Sequence, residues 1–579
     1  MKANLFWSNR YVVGFLVLGT LFVSFGFADR YFEIAKNLDI FASLYRQLNT
    51  HYVEEVKPAE LMQEGVEAML ASLDPYTEYI PESDLEIFKM NYVSKQYAGI
   101  GATIFTNAAG KVLISEPYEG FAAQKADIRA GDEILSINGI TVTKKKSRDV
   151  TELLKGQKGT ALKIIVKRLG EVQPLEKVLT RERIFFNNVP YYGLLNDSTG
   201  YIKLDKFLEN AAQEVRDAFL DLKQKHPIKS LILDLRGNGG GIVQESVNIV
   251  NLFVEKGQEI VTQKGRMRER DIIYKAAFTP IDAKIPLAVL VDKGSASASE
   301  IVAGAIQDLD RGTIIGQQTY GKGLVQQTLS LPYNGLLKVT VAKYYTPSGR
   351  CIQALDYAHK NKDGSVNKIS DSLRAEFKTQ RGRSVYDGSG IYPDLIASES
   401  VHSNIAYSIV NKMLHFEYAT QYRALHPSLP DARSFKLGQA EYQDFVKFLA
   451  DKDYSYATRS EKNLQELKSI AVKEKYFENI KAEYAALEKK LLDNKKDDLI
   501  RYQDELKEIL EEEIASRYYF QRGELEATFK YDTGLKEAMR VLQNLKLYAT
   551  ILNGEGPYKT IGKPVAFVKE KATTAKLTN

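Results

Sequence analysis

The sequence predicts a multidomain α/β protein with a β-rich module inserted ahead of its central core and helical regions at both ends. Three observations predict it. From Phe185 to about Asp394, apolar strand-like runs alternate with amphipathic helical stretches, the pattern of parallel strands joined by crossover helices. From about Val93 to Arg183 the pattern changes to short β-type runs with two brief helical pieces. On either side, over Arg30–Asn91 and Ile396–Asn579, apolar residues recur at helical spacing.

A length of 579 residues calls for two to four cores. Lys2 and Arg10 precede an apolar run, Tyr11–Phe27, broken by Ala28-Asp29-Arg30. A positive flank before an apolar stretch marks a secretory signal or a signal anchor. Seventeen residues is the lower limit for spanning a bilayer, and Gly26-Phe27-Ala28 offers a small-x-small cleavage site. Both readings place the rest of the chain in the cell envelope, on the periplasmic side, secreted or held at the inner membrane through residues 11–27.

In the next region Ile40, Leu44, Leu48, then Leu61, Val66, Met69 and Leu70 give helical spacing, and Ser72–Tyr76 a turn. The β-rich module is expected to hold strands Ile100–Phe105, Val112–Ser115, Glu133–Ile137 and Leu162–Lys167, with helices at Ala122–Lys125 and Ser147–Leu154. The core is expected to run through strand Tyr201–Leu204, helix Ala211–Lys225, strand Ser230–Leu235, helix Ile242–Phe253, strand Leu287–Val291 and helix Ser297–Leu309. Asp356–Asp387 reads as a surface loop. After Ile396, Glu/Lys pairs at helical spacing and irregular heptads leave a bundle and a coiled coil both open, and Ala572–Asn579 reads as a frayed tail.

A net charge of +5 with no Lys/Arg stripe argues against a nucleic-acid partner. The single cysteine, Cys351, excludes an intrachain disulfide and a thiolate cage, and the six scattered histidines lack zinc spacing. No metal or cofactor is called for.

Asp292-Lys293-Gly294-Ser295-Ala296-Ser297-Ala298-Ser299-Glu300 joins a buried strand to a helix rich in small residues. A serine at such a junction has unpaired N–H groups and the positive end of a helix beside it, which favour a developing oxyanion. The Ala298 N–H is the natural donor. Ser297-x-x-Glu300 is equally a capping box, so this segment alone is not specific. Within Tyr320-Gly321-Lys322-Gly323-Leu324-Val325-Gln326, the flanking glycines let Lys322 approach another segment. A buried lysine loses its charge and becomes a base, with Gln326 placed to orient it. Leu231–Gly241 runs a buried strand into a glycine loop whose Gly239 or Gly240 N–H is a second oxyanion donor. Asp234 and Arg236 read as a structural ion pair.

Together these segments, Asp234–Gly240, Ser295–Glu300 and Gly321–Gln326, resemble the D-L-R-x-N-x-G-G, S-A-S-A-S-E and G-K-G-x-V-Q motifs of the carboxy-terminal processing (tail-specific) proteases. Tyr345–Gln353 and Gly390–Asp394 match further signatures of that family. The resemblance implies a crotonase-like α/β protease core at 184–394, an inserted PDZ domain at 93–183, helical regions at 29–92 and 395–579, and a signal peptide or membrane anchor at 1–28. It implies a serine endopeptidase cleaving proteins near their C-termini, with Ser297 as nucleophile, Lys322 as base, Gln326 in support, and Ala298 with Gly239 or Gly240 as oxyanion hole. Tyr97-Ala98-Gly99-Ile100-Gly101 matches the loop that binds a peptide's terminal carboxylate in PDZ domains. The expected partners are proteins or peptides with accessible C-termini; homo-oligomerisation is left open.

Gly316–Lys322 also matches a phosphate-binding G-x-x-x-x-G-K loop. Gly323 stands where that loop needs Ser or Thr, and strand rather than helix follows.

Overall fold

A computed structural model describes residues 31–85, 88, 96–398 and 402–564. The expected signal or anchor over 1–28 and the tail 572–579 lie outside the described residues. Among the described residues no helix is long and apolar enough to cross a membrane.

The chain forms two compact units. The smaller comprises residues 1–79 with 328–339. In its described part, residues 31–51 and α1 (Pro58–Ala71) are helical. Proline begins α1, where its missing N–H costs nothing. The Tyr45 hydroxyl donates to the Pro58 carbonyl at 2.6 Å, and Lys338 pairs with Glu78. Ile40, Leu44 and Leu48 stay exposed.

The larger unit begins with the β-rich module. Its sheet has β1 (Ala102–Thr106), β2 (Val112–Pro117), β3 (Glu133–Ile137), β4 (Ala161–Lys167) and β5 (Leu175–Thr180) side by side in that order, so β1 is an edge strand. Alternation along β4 sends Leu162, Ile164 and Val166 inward, where they meet Val150 and Leu154 of α2 (Ser147–Leu154). The expected strand Ile100–Phe105 begins two residues later, at Ala102, and runs to Thr106. Gly101 takes φ +73°, and a Cβ there would lie 2.4 Å from Phe121 Cβ. The chain therefore turns, and Gln96–Gly99 pairs antiparallel with Glu182–Phe185 in a separate two-stranded sheet.

The central sheet has β6 (Tyr191–Asn196), β7 (Thr199–Lys203), β8 (Ser230–Asp234), β9 (Leu287–Val291), β10 (Thr313–Gly316) and β11 (Leu395–Ile396), and their order across the sheet is their order in the chain. Only β6 runs antiparallel to its neighbour. Every residue of β8 and β9 is buried, which is why both read as continuous apolar runs. One face carries α3 (Ala211–Lys225), α4 (Val243–Asn251) and α5 (Ala298–Asp308), packed through Phe219, Val247 and Ile301. The other face packs Tyr201, Ile232, Ala288 and Leu290 against Leu535, Ala538 and Val541 from the C-terminal region.

That region is a bundle with its own core around Tyr418, Phe435, Tyr442, Phe445, Leu510 and Ile514. It includes α6 (Leu414–Leu425), α7 (Gln503–Thr528), which is broken by a kink at Phe520, and α8 (Thr533–Gln543). Asp356–Asp387 is only partly the surface loop its polarity suggests. Glu376–Lys378 and Ser384–Tyr386 pair as strands, and Arg383 between them is fully buried, bonded to Asp310 at 2.6 Å and Asp394 at 2.7 Å. A charged residue reads as exposed in a sequence unless its partners are known, and these lie 73 and 11 residues away.

Candidate active site

Strand β9 feeds the turn Asp292–Ala296 into α5, and Ser297 sits at the junction with φ 55° and ψ −112°. This backbone region suits glycine; a side chain there costs about 1–3 kcal/mol and must be held by its surroundings. Three contacts hold it. The Ser297 N–H donates to Glu300 Oε2 at 2.9 Å. The Ala296 N–H donates to the Asn238 carbonyl at 3.0 Å. Gly240 presses on the far side, so closely that a Cβ on it would lie 2.8 Å from Ser297 Cβ and 2.9 Å from the Ala298 nitrogen.

The neighbouring serines are staples. Ser295 Oγ donates to the Leu235 carbonyl at 2.8 Å, and Ser299 Oγ to the Asn238 carbonyl at 2.7 Å. Both are buried, whereas Ser297 is half-buried.

Glu300 does more than cap α5. Its carboxylate is fully buried and also accepts the Lys322 N–H at 2.8 Å, the Gly321 N–H at 2.7 Å and the Thr319 hydroxyl at 2.5 Å. Burial pushes its carboxyl up from the ordinary range, against the pull of these donors. The lysine segment is thus hung from the group that holds the Ser297 backbone. The glycines flanking Lys322 sit where the chain is tightest: a Cβ at Gly321 would fall 2.4 Å from Ala354 Cβ, and one at Gly323 2.7 Å from the Gln353 nitrogen. The Gly323 N–H donates to Gln353 Oε1 at 2.8 Å, and the Lys322 carbonyl accepts the Tyr344 hydroxyl. Gln326 lies in the following strand, Leu324–Ser330, where its side-chain amide donates to Thr340 Oγ1 at 3.1 Å.

The glycine loop leaves the end of β8. Burial opposes ionisation of Asp234, yet Arg236 and Lys203 hold its carboxyl well below the usual carboxylate range. Asn238 is fully buried and donates to the Leu204 carbonyl at 2.8 Å. Its Oδ1 accepts the Gly240 N–H at 2.9 Å. Of the two glycines considered as oxyanion donors, Gly240 is therefore already engaged. Among the described residues neither the Gly239 nor the Ala298 N–H makes a hydrogen bond.

In the β-rich module, Tyr97, Ala98 and Gly99 lie in the strand beside Glu182–Phe185, Ile100 is buried, and Gly101 makes the turn into β1. The carbonyls of Ile100 and Gly101 accept the N–H groups of Ala123 and Tyr118 at 2.8 Å each. Among the described residues the Ile100 and Gly101 N–H groups make no bond. Among them, too, no cluster of three His, Cys, Asp or Glu side chains is fit to hold a metal.

Thr319 has no signature of its own in the sequence, while Asn238 and Glu300 stand there as motif positions, Glu300 also as a helix cap, with nothing to show what their side chains hold. The reach of Glu300 to residues 319–322 depends on how β10 places that loop.

A serine at φ 55° on a strand-to-helix junction of an α/β sheet is the kind of placement that serine hydrolases use. Residues 198–358 match the model of peptidase family S41, residues 113–168 that of a PDZ domain, and residues 405–542 that of the C-terminal helical domain of probable PDZ-proteases. The chain is 30% identical over 388 residues to a carboxy-terminal-processing protease of Bartonella bacilliformis, covering 65% of this chain and 88% of that protein. It is 32% identical over 319 residues to a probable CtpA-like serine protease of Staphylococcus aureus, covering 55% and 62% respectively. Among solved structures, a photosystem II D1 C-terminal processing protease matches at 29% identity, 54% and 89% coverage and a TM-score of 0.32. The chain belongs to the carboxy-terminal-processing proteases of peptidase family S41. It is a serine peptidase with a PDZ domain and a C-terminal helical domain.

Proposed function

We propose that Ser297 is the nucleophile and Lys322 the general base of this peptidase. An uncharged Lys322 amine takes the Ser297 hydroxyl proton as Oγ attacks the peptide carbonyl. The Ala298 and Gly239 N–H groups receive the oxyanion. The lysine then gives its proton to the leaving amine nitrogen as the C–N bond breaks. Water, deprotonated by the same amine, hydrolyses the acyl-enzyme and Ser297 regains its proton. Gln326 supports the lysine strand.

The observation that carries this reading is the double grip of Glu300, whose one Oε2 accepts the N–H groups of both Ser297 and Lys322. In the PDZ domain, Tyr97 to Gly101 receive the substrate's terminal carboxylate, and the peptide adds as a strand along the free edge of β1. The crotonase-like reading of the core rests on its sequential parallel sheet and glycine-loop donors. The enzyme works in the cell envelope, on the periplasmic side, secreted or anchored through residues 11–27.

The test is cleavage of an unfolded protein by wild type, Ser297→Ala and Lys322→Arg. Both variants are expected to be inactive, the second at every pH because a guanidinium keeps its proton. Comparable cleavage by Lys322→Arg overturns the base assignment.

A further inference from the structure

The helical domain reaches the oxyanion loop through one carboxylate. Arg236 opens that loop, and its guanidinium is clamped from two sides. On one side stands Asp234, at the end of β8, accepting Nε at 3.0 Å and Nη2 at 2.6 Å. On the other stands Asp532, at the start of α8, accepting Nη1 at 2.9 Å and Nη2 at 2.7 Å in a two-pronged pair. Asp532 is itself fixed, because its Oδ1 caps α8 by accepting the Leu535 N–H at 2.9 Å. Gly534 lies against the guanidinium so closely that a Cβ there would be 3.2 Å from Nη1.

The residue after Arg236 joins the nucleophile turn, since the Gly237 N–H donates to Asp292 Oδ1 at 2.9 Å. Asn238 and Gly239 follow at once. A shift of the guanidinium therefore moves the backbone that carries the Gly239 N–H toward or away from Ser297.

We propose that Asp532 is a positioning residue for peptide cleavage: from the C-terminal helical domain it holds Arg236, and through it the oxyanion loop, in register with Ser297. The proposal rests on the assignment of Gly239 and Ser297 above. It makes the helical domain a working part of the active site.

The test uses the full chain and Asp532→Ser, which keeps a helix-capping oxygen but is too short to reach Arg236. Its kcat on a peptide substrate is expected to fall about tenfold or more, since a misplacement near 1 Å can cost a hundredfold, while KM stays within about twofold. Arg236→Ala is expected to lose at least as much, and the double variant no more than Arg236→Ala alone. Asp532→Asn, which keeps the cap and one oxygen for Arg236, gives an intermediate kcat and serves if the serine variant fails to fold. A kcat within twofold of wild type in Asp532→Ser or Asp532→Asn, or losses that multiply in the double variant, overturns the proposal. Ser297→Ala separates the two claims: if it cleaves like wild type, the nucleophile assignment falls. If it is inactive while Asp532→Ser is fully active, only the role of Asp532 falls.

Discussion

Ser297 and Lys322, 25 positions apart, donate their backbone N–H groups to the same oxygen, Oε2 of Glu300, at 2.9 and 2.8 Å. The spacing of these two backbone segments is thereby set by a buried carboxylate rather than by either side chain. Glu300→Gln replaces one acceptor oxygen with an NH2, so at least one backbone N–H loses its acceptor and meets another donor instead. Peptide hydrolysis is expected to drop by about a hundredfold, with KM changed far less, in steady-state assays.

The strained backbone at Ser297 gives a stability test independent of activity. Ser297→Ala and Ser297→Gly both lack the hydroxyl, but only glycine removes the Cβ held at φ 55°. Denaturant unfolding is expected to find the glycine variant more stable than the alanine variant by about 1 kcal/mol. An alanine variant of equal or greater stability argues against the strain.

Gly240 admits no side chain. Its Cβ would lie 2.7 Å from the Ala296 carbonyl oxygen as well as against Ser297 and Ala298, on the ground the oxyanion would occupy. Gly240→Ala is expected to lose about a hundredfold or more in kcat while still binding C-terminal peptides at its PDZ domain, measured by calorimetry.

Arg383 is buried between Asp310 and Asp394. Arg383→Ala leaves two buried carboxylates without their cation and is expected to destabilise the core by about 3–5 kcal/mol in denaturant unfolding.

Where α7 meets the PDZ domain, Glu116, Glu513 and Glu524 gather around Arg517, with Glu512 near Glu513 and Glu524, His415 Nε2 3.3 Å from Glu513 and His402 near Glu512. Burial and the neighbouring carboxylates push Glu512 up to about 7 and Glu524 up to about 8, from an ordinary 4.5. These folded values exceed the unfolded one, so the folded state holds protons that the unfolded state releases. Their contribution is complete below about pH 4.5 and is lost as pH rises through about 8. Thermal midpoints are expected to fall across that window, and to fall less steeply in Glu524→Gln.

Much of this was legible in the sequence. The buried strands β8 and β9 announce themselves as unbroken apolar runs, and α3 through its spacing. The three glycine- and serine-rich segments point to a serine peptidase, the class to which the chain belongs, because strand ends and helix starts are local features. What stayed hidden depends on distance along the chain. Glu300 reads locally as a cap, and its bonds to residues 319–322 exist only once β10 lies beside β9. Arg383 reads as solvent-exposed because its carboxylates are remote. The tie between Arg236 and Asp532 spans 296 positions and crosses from one domain to another. Gly101 shows the converse: its positive φ, which no apolar pattern reveals, delays the predicted first strand to Ala102.

The most direct measurement is to trap the acyl-enzyme. A peptide ester is mixed with the enzyme, quenched in acid within one turnover, and the attachment site mapped by mass spectrometry of the digested protein. The acyl group is expected on Ser297, absent in Ser297→Ala and not accumulating in Lys322→Arg. An acyl group on another residue, or turnover by Ser297→Ala at the wild-type rate, would contradict the assignment of Ser297 as nucleophile.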